Sequence, residues 1–218
     1  MGMKALLSSI LISVTATSVA AHPHVFIDTG FELVVDDQGQ LTHVRVIWEY
    51  DDLYSLLITE DMSLDQDGDG ILTKAEITQL TGFDMNWIDG FNGDLVVENA
   101  NTSVSLSQPQ EITASFADGR ITTTHLRALD IPVPAGETAT IMAYDPTYYT
   151  AYEVTRPVTV VGAGNCKVRL QAPEVSSGLM ALQQELATLD PQMDPQDAGL
   201  PEIGAQMATK VTVTCAAS

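Results

Sequence analysis

Residues 24–50 alternate in polarity almost without interruption, and this alternation limits what the chain can fold into more than any other feature. From His24 to Val35, the residues Val25, Ile27, Phe31, Leu33 and Val35 point one way while His24, Phe26, Asp28 and Glu32 point the other, as in a half-buried strand. After the turn Asp36-Asp37-Gln38-Gly39, a second strand carries Val44, Val46, Trp48 and Tyr50 on one face and His43, Arg45, Ile47 and Glu49 on the other. Matching the apolar faces pairs Leu33 with Val44 and Phe31 with Val46. That register sets Glu32 opposite Arg45, a favourable pair. It also sets Asp28 opposite Glu49, which is unfavourable unless a cation or a shared proton lies between them.

The pattern turns helical from about Asp52 to Ser63, with Leu53, Leu56, Leu57 and Ile58 as the expected apolar stripe, and a short second helix ends near Gly82. Beyond a Gly- and Asn-rich stretch, β-type segments recur at Leu95–Glu98, Ser103–Leu106, Ile112–Ala117, Ile121–Leu129, Thr138–Tyr144, Val158–Val161 and Lys167–Gln171. Leu179, Leu182, Leu186 and Leu189 mark an amphipathic helix, a Pro- and Asp-rich linker covers 190–201, and Val211–Thr214 is a last strand. The expected fold is therefore mainly β: an antiparallel β sandwich with an inserted helix–loop–helix at about 52–82 and one C-terminal amphipathic helix.

The first 21 residues read as a cleavable export signal, with Lys4 before the apolar run Ala5 to Val14 and small residues ending in Val19-Ala20-Ala21. Residues 22–218 then form one β-rich domain, expected in the periplasm and without stable membrane insertion. In that oxidising setting Cys166 and Cys215 are expected to form a disulfide. The 218 residues carry 29 acidic and nine basic side chains, a formal charge of −20, yet 45% are hydrophobic. Enough apolar surface exists for a core, which excludes disorder, and the acidity excludes nucleic acid as a partner.

Part of that acidity is placed. Asp65-Gln66-Asp67-Gly68-Asp69-Gly70-Ile71-Leu72-Thr73-Lys74-Ala75-Glu76 fits the twelve-residue EF-hand loop. Asp65, Asp67 and Asp69 supply side-chain oxygens, Gly70 permits the turn, Ile71 offers its carbonyl, Glu76 can close the shell with two oxygens and Leu72 anchors the loop. Calcium is the expected cofactor. With no second loop of this type, its role is structural, at an affinity of about 10⁻⁴ to 10⁻³ M.

Cleavage after Ala21 would leave His22-Pro23-His24 at the start of the mature chain. Pro23 has no amide proton, which blocks the copper or nickel mode that uses two backbone amides. His22, His24 and Asp28 lie on one strand face, and the hairpin register adds Glu49. These four form a candidate site for zinc, nickel or copper, with His125 as a further ligand from another strand. The six tyrosines fall in WEYDDLYS and YDPTYYTAYE, which are expected to meet in space. Tyr50, Tyr54, Asp145, Tyr148 and Tyr149 are a candidate partner surface, with hydroxyls bonded to nearby Asp51, Asp52, Asp145 and Glu153.

The segments HPHVFID, WEYDDLYS, the acidic loop, YDPTYYTAYE, GNCKVRL and AQMATKVTVTC together resemble an uncharacterised family of exported bacterial proteins. That family is often labelled a periplasmic component of an ABC-type transport system and tends to be encoded beside nickel, cobalt or zinc transporters. The resemblance covers nearly the whole mature chain and draws attention to His22, His24, Asp145, Pro146, Tyr148 and Tyr149. Phe26 departs from it, since relatives often have tryptophan there. It implies metal homeostasis with a membrane metal transporter as partner. Three readings follow: a calcium-binding, non-enzymatic periplasmic accessory protein for transition-metal transport; a calcium-stabilised interaction domain with incidental histidines; and a copper oxidoreductase built on His22. No clear second histidine to complete a copper chelate with His22, no nucleophile motif and no nucleotide loop supports the enzyme.

Overall fold

The apolar face of the 24–50 hairpin can leave water only under a second layer, and the later strands supply it. A computed structural model of the protein describes residues 23–88, 90–189, 193 and 197–217. The export segment, His22 and half of the 190–201 linker lie outside the described residues. The chain begins with β1 (Val25–Val35) and β2 (Leu41–Tyr50), followed by helices α1 (Asp52–Asp61) and α2 (Lys74–Leu80). Then come β3 (Leu95–Asn99), β4 (Thr102–Ser103), β5 (Gln110–Ala117), β6 (Arg120–Val133) and β7 (Thr138–Ala143). The last third holds β8 (Thr150–Glu153), β9 (Val158–Gly162), β10 (Cys166–Gln171), α3 (Ser177–Leu186), α4 (Gly204–Met207) and β11 (Lys210–Cys215).

One sheet runs β5-β6-β2-β1-β8, with β9 also on β1, and the other runs β10-β11-β7-β3-β4. Phe31, Leu33, Val44 and Val46 from the first sheet share one buried cluster with Leu95, Val97, Ile141, Val211 and Val213 from the second. The result is a mainly β, two-sheet, sandwich-like fold. The hairpin has the register expected from its pattern, including Leu33 with Val44, Phe31 with Val46 and Asp28 with Glu49. Its two faces separate as predicted, because a one-residue slip would expose the whole apolar set.

Two features differ from the sequence expectation. The first sheet is mixed: β8 and β9 both add to β1 in parallel, on Val25–Asp28 and Phe31–Val35 respectively. Between them Arg156 and Pro157 cross β1 at Gly30, where an added Cβ would lie 2.9 Å from both the Arg156 Cβ and the Pro157 carbonyl. Only glycine leaves room for that crossing.

The stripe on α1 is also reversed. Leu53, Leu56 and Leu57 are exposed, while Ser55 and Thr59 are buried. Ser55 explains the orientation, since its hydroxyl accepts from the Ile121 N–H at 3.0 Å and donates to the Tyr50 carbonyl at 3.4 Å. A polar clamp to the sheet, with Tyr54 and Ile58 packing beside it, outweighs the pull of three leucines. On α3, Leu179 and Leu186 are buried with Ile203 in a small second cluster that Leu182, Leu189 and Tyr148 complete.

Cys166 faces Cys215 in the β10–β11 pairing and the two form the expected disulfide, 49 residues apart. Among the described residues no helix is long and apolar enough to cross a membrane. Reducing this disulfide is expected to lower the unfolding free energy by about 4 kcal/mol through the freed loop entropy. Urea midpoints with and without reductant measure the loss, and equal midpoints would show that the bond does not restrict the unfolded chain.

Candidate functional site

The connection from β2 to β3 carries the acidic loop at one end and an aromatic-flanked carboxylate at the other. Asp51 caps α1 by accepting from the Tyr54 N–H at 2.8 Å, and Leu64 and Leu80 on either side of the loop and Leu72 within it bury themselves in the main core. Gly70 sits at φ +76° with open space around it, so the backbone conformation itself selects glycine. The Asp65 carboxylate accepts from the Gly70 N–H at 3.1 Å and Asp69 from the Ile71 N–H at 2.8 Å. These bonds draw oxygens of Asp65, Asp67 and Asp69 within 4.8 Å of one another. An all-oxygen cluster of this kind fits a hard cation.

Glu76 is engaged differently from the expected bidentate ligand. Its oxygens accept from the Asp65 N–H at 2.9 Å and the Thr73 N–H at 2.7 Å, closing a capping box at the start of α2. The Thr73 hydroxyl, followed by these backbone bonds, holds the Glu76 carboxyl below its usual range. Glu76 thereby ties the first residue of the loop to the helix that follows. The Ile71 side chain is exposed.

The structure divides the candidate transition-metal set. Asp28 and Glu49 do face each other, but the cation between them is a guanidinium. Arg120 donates to Asp28 at 2.8 Å through Nη2 and to Glu49 at 2.8 Å through Nη1, and Arg156 also pairs with Glu49. The Thr155 hydroxyl bond, ahead of the arginines, holds Asp28 below the usual carboxylate range despite its partial burial. His24 lies at the start of β1 with its ring 4.7 Å from that of Tyr149. His125 is fully buried on the opposite, inner face of the sheet, 5.0 Å from Trp48 and 5.9 Å from Trp87 between ring centres. Burial, and then Arg127 and Arg45, push its pKa down to about 3. It therefore stays neutral and apart from Asp28 and Glu49.

The two tyrosine segments meet, although not as one surface. Tyr50, Tyr54, Tyr149 and Tyr152 line a cleft of about 330 Å³ together with Asp84. Tyr148 turns away into the small α3 cluster, where its hydroxyl accepts from Gln183. Asp145 holds the intervening turn by accepting from the Thr147 and Thr150 N–H groups. The expected hydroxyl acceptors are replaced: Tyr50 donates to Asp84 at 2.8 Å and Tyr152 to Asp94 at 2.8 Å. Tyr50 and Tyr152 belong to the interior, and burial raises both phenols well above their ordinary range. Burial likewise raises Asp84, and it raises Asp94 to about 7.

Asp84, Asp94, Trp87, Arg120 and Arg156 were absent from the expected site. Asp84 and Trp87 follow α2 in a stretch with no period to read. One signal was available: buried tyrosines demand acceptors, and the acids at 84 and 94 flank the same aromatic-containing loop.

A family model described as "Protein of unknown function (DUF1007)" matches residues 7–215, and the chain belongs to that family. Comparison with curated proteins gives no match.

Asp94 has a consequence for stability. Its carboxyl titrates at 3.8 in its ordinary state and at about 7 in the fold. Between those values the folded chain keeps a proton that the unfolded chain has released, so this residue's contribution falls as pH rises from about 4 to about 7. Asp94→Asn is expected to flatten that slope in urea midpoints measured across the range. A variant that tracks the parent at every pH would refute the assignment.

Proposed function

We propose that the protein is a calcium-braced, non-enzymatic binding protein of the periplasm, acting as an accessory to a transition-metal transporter of the membrane. One observation carries the calcium reading: three aspartate oxygens lie within 4.8 Å of one another in a loop held by its own N–H groups. Three ionised carboxylates at that spacing repel one another, and calcium, which accepts six to eight oxygens, relieves the repulsion. Asp65, Asp67 and Asp69 would hold the ion. The export segment and the disulfide support the compartment.

Calcium in this loop does not touch the cleft. It stiffens the connection between β2 and β3, which supplies Tyr54, Asp84, Trp87 and Phe91 to the cleft wall. The cation thus acts as a brace for a binding face. The transporter partnership rests on the resemblance carried by the HPHVFID and YDPTYYTAYE segments, and the transition-metal ligands are reduced to His22 and His24, because Arg120 and Arg156 take Asp28 and Glu49.

Calcium at about ten times its dissociation constant should add about 1.4 kcal/mol, a rise in melting temperature of about 3–6 °C for a domain of this size. An Asp65→Asn, Asp67→Asn double variant should lose that rise; a variant responding like the parent would sink the loop assignment. For the transition metal, calorimetric titration with zinc, nickel and copper is expected to show a site that His24→Ala weakens by about tenfold, and unchanged affinity would remove the histidines from it.

A further inference from the structure

We propose that the aromatic cleft binds a small organic cation of the methylated-ammonium class. The cleft lies where the inner face of β1, β2 and β8 meets the β2–β3 connection. Its walls include the rings of Trp48, Tyr50, Tyr54, Trp87 and Tyr149, and among its described lining residues no lysine, arginine or histidine occurs. Asp84 supplies the charge.

The charge of the lining selects the sign of the ligand. Three of its donors are committed to protein acceptors: the Tyr50 hydroxyl to Asp84 Oδ2, the Tyr152 hydroxyl to Asp94, and the Trp87 indole N–H to the Asp84 carbonyl at 2.8 Å. Thr123 also donates to Asp84 Oδ2, at 2.8 Å. Asp84 Oδ1 is buried without a hydrogen-bond partner among the described residues. The cleft therefore offers a guest π faces and carboxylate charge, with no cationic side chain among its described lining residues to hold an anion. Buried without a counter-charge, Asp84 is costly to ionise, and a bound cation would supply what is missing.

The aromatic lining decides between cations. A metal ion needs several oxygen or nitrogen ligands, and Asp84 is the one carboxylate among the described lining residues of the cleft. A methylated ammonium has no hydration shell of comparable strength. It presents a diffuse charge to several rings at once. The fold already makes one such contact at a ring of the cleft wall, with the Arg127 guanidinium 4.9 Å from the centre of the Trp87 ring. The buried, neutral His125 beside Trp48 adds no repulsion.

This inference rests on reading the cleft as a binding face, and its test is separable from that of the calcium brace. The disulfide-intact exported chain is titrated with choline and with its uncharged carbon isostere 3,3-dimethylbutan-1-ol, following tryptophan fluorescence, with and without calcium. Choline should give a saturable change and bind at least about tenfold more tightly than the isostere, and Asp84→Asn should lose about tenfold in choline affinity. Tyr149→Ala changes a half-exposed ring, should keep the parent melting temperature and should bind choline several-fold more weakly. No saturable change with choline, equal binding of the isostere, or a folded Asp84→Asn with parental affinity would each overturn the proposal. A calcium-induced rise in melting temperature that persists alongside such a failure would leave the brace standing and remove only the ligand class.

Discussion

A one-residue slip between β1 and β2 would carry Phe31, Leu33, Val44 and Val46 from the sandwich interior to solvent, and the positions of the other elements follow from the fact that this does not happen. Burial of the inner face fixes the register, and the register forces Asp28 against Glu49 on the outer face. Left alone, that pair would oppose the hairpin. Arg120 at the start of β6 bridges both carboxylates and also donates to the Tyr50 carbonyl at 2.7 Å, while Arg156 reaches Glu49 from the segment between β8 and β9. A repulsion imposed by the core thereby becomes a junction between neighbouring strands.

The excess of acid has several physical roles in one chain. Asp51, Asp145 and Glu76 satisfy backbone N–H groups at helix starts and turns. Asp28 and Glu49 hold arginines. Asp84 and Asp94 accept from buried tyrosines, and both are raised by burial. Asp65, Asp67 and Asp69 form a cluster of oxygens whose spacing is compatible with a metal ion. A charge of −20 says little about function as a total, and much once each acid is assigned its neighbour.

The insertion links two of these roles. Its acidic loop is anchored by Leu64, Leu72 and Leu80, whereas its far end carries Asp84 and Trp87 over the sheet. The first helix of the insertion is held by Ser55 and leaves Leu53, Leu56 and Leu57 in solvent. The arrangement puts the acidic loop and one wall of the aromatic cleft on one short piece of chain, so that order in the first bears on the shape of the second.

Local spacing was enough to read the hairpin and its register, the acidic loop with its glycine and the α3 stripe, because each depends on a period or on neighbours along the chain, and the presence of two cysteines in an exported chain was enough to pair Cys166 with Cys215. It was not enough for α1, where hydropathy pointed to the leucines and two hydrogen bonds from Ser55 decided otherwise. The meeting of the two tyrosine segments could be inferred from their clustering, but their acceptors could not, since Asp84 and Asp94 lie outside both segments in irregular backbone. Nor could the sequence show that the cation between Asp28 and Glu49 is Arg120, which is 92 residues from Asp28. The sequence by itself determined which faces of the hairpin and of α3 must be buried and where acidic side chains cluster, since side-chain period and spacing are local. Only the tertiary structure decided which charges meet, because that depends on strands, β6 and the parallel β8 and β9, that reach the hairpin from distant parts of the chain.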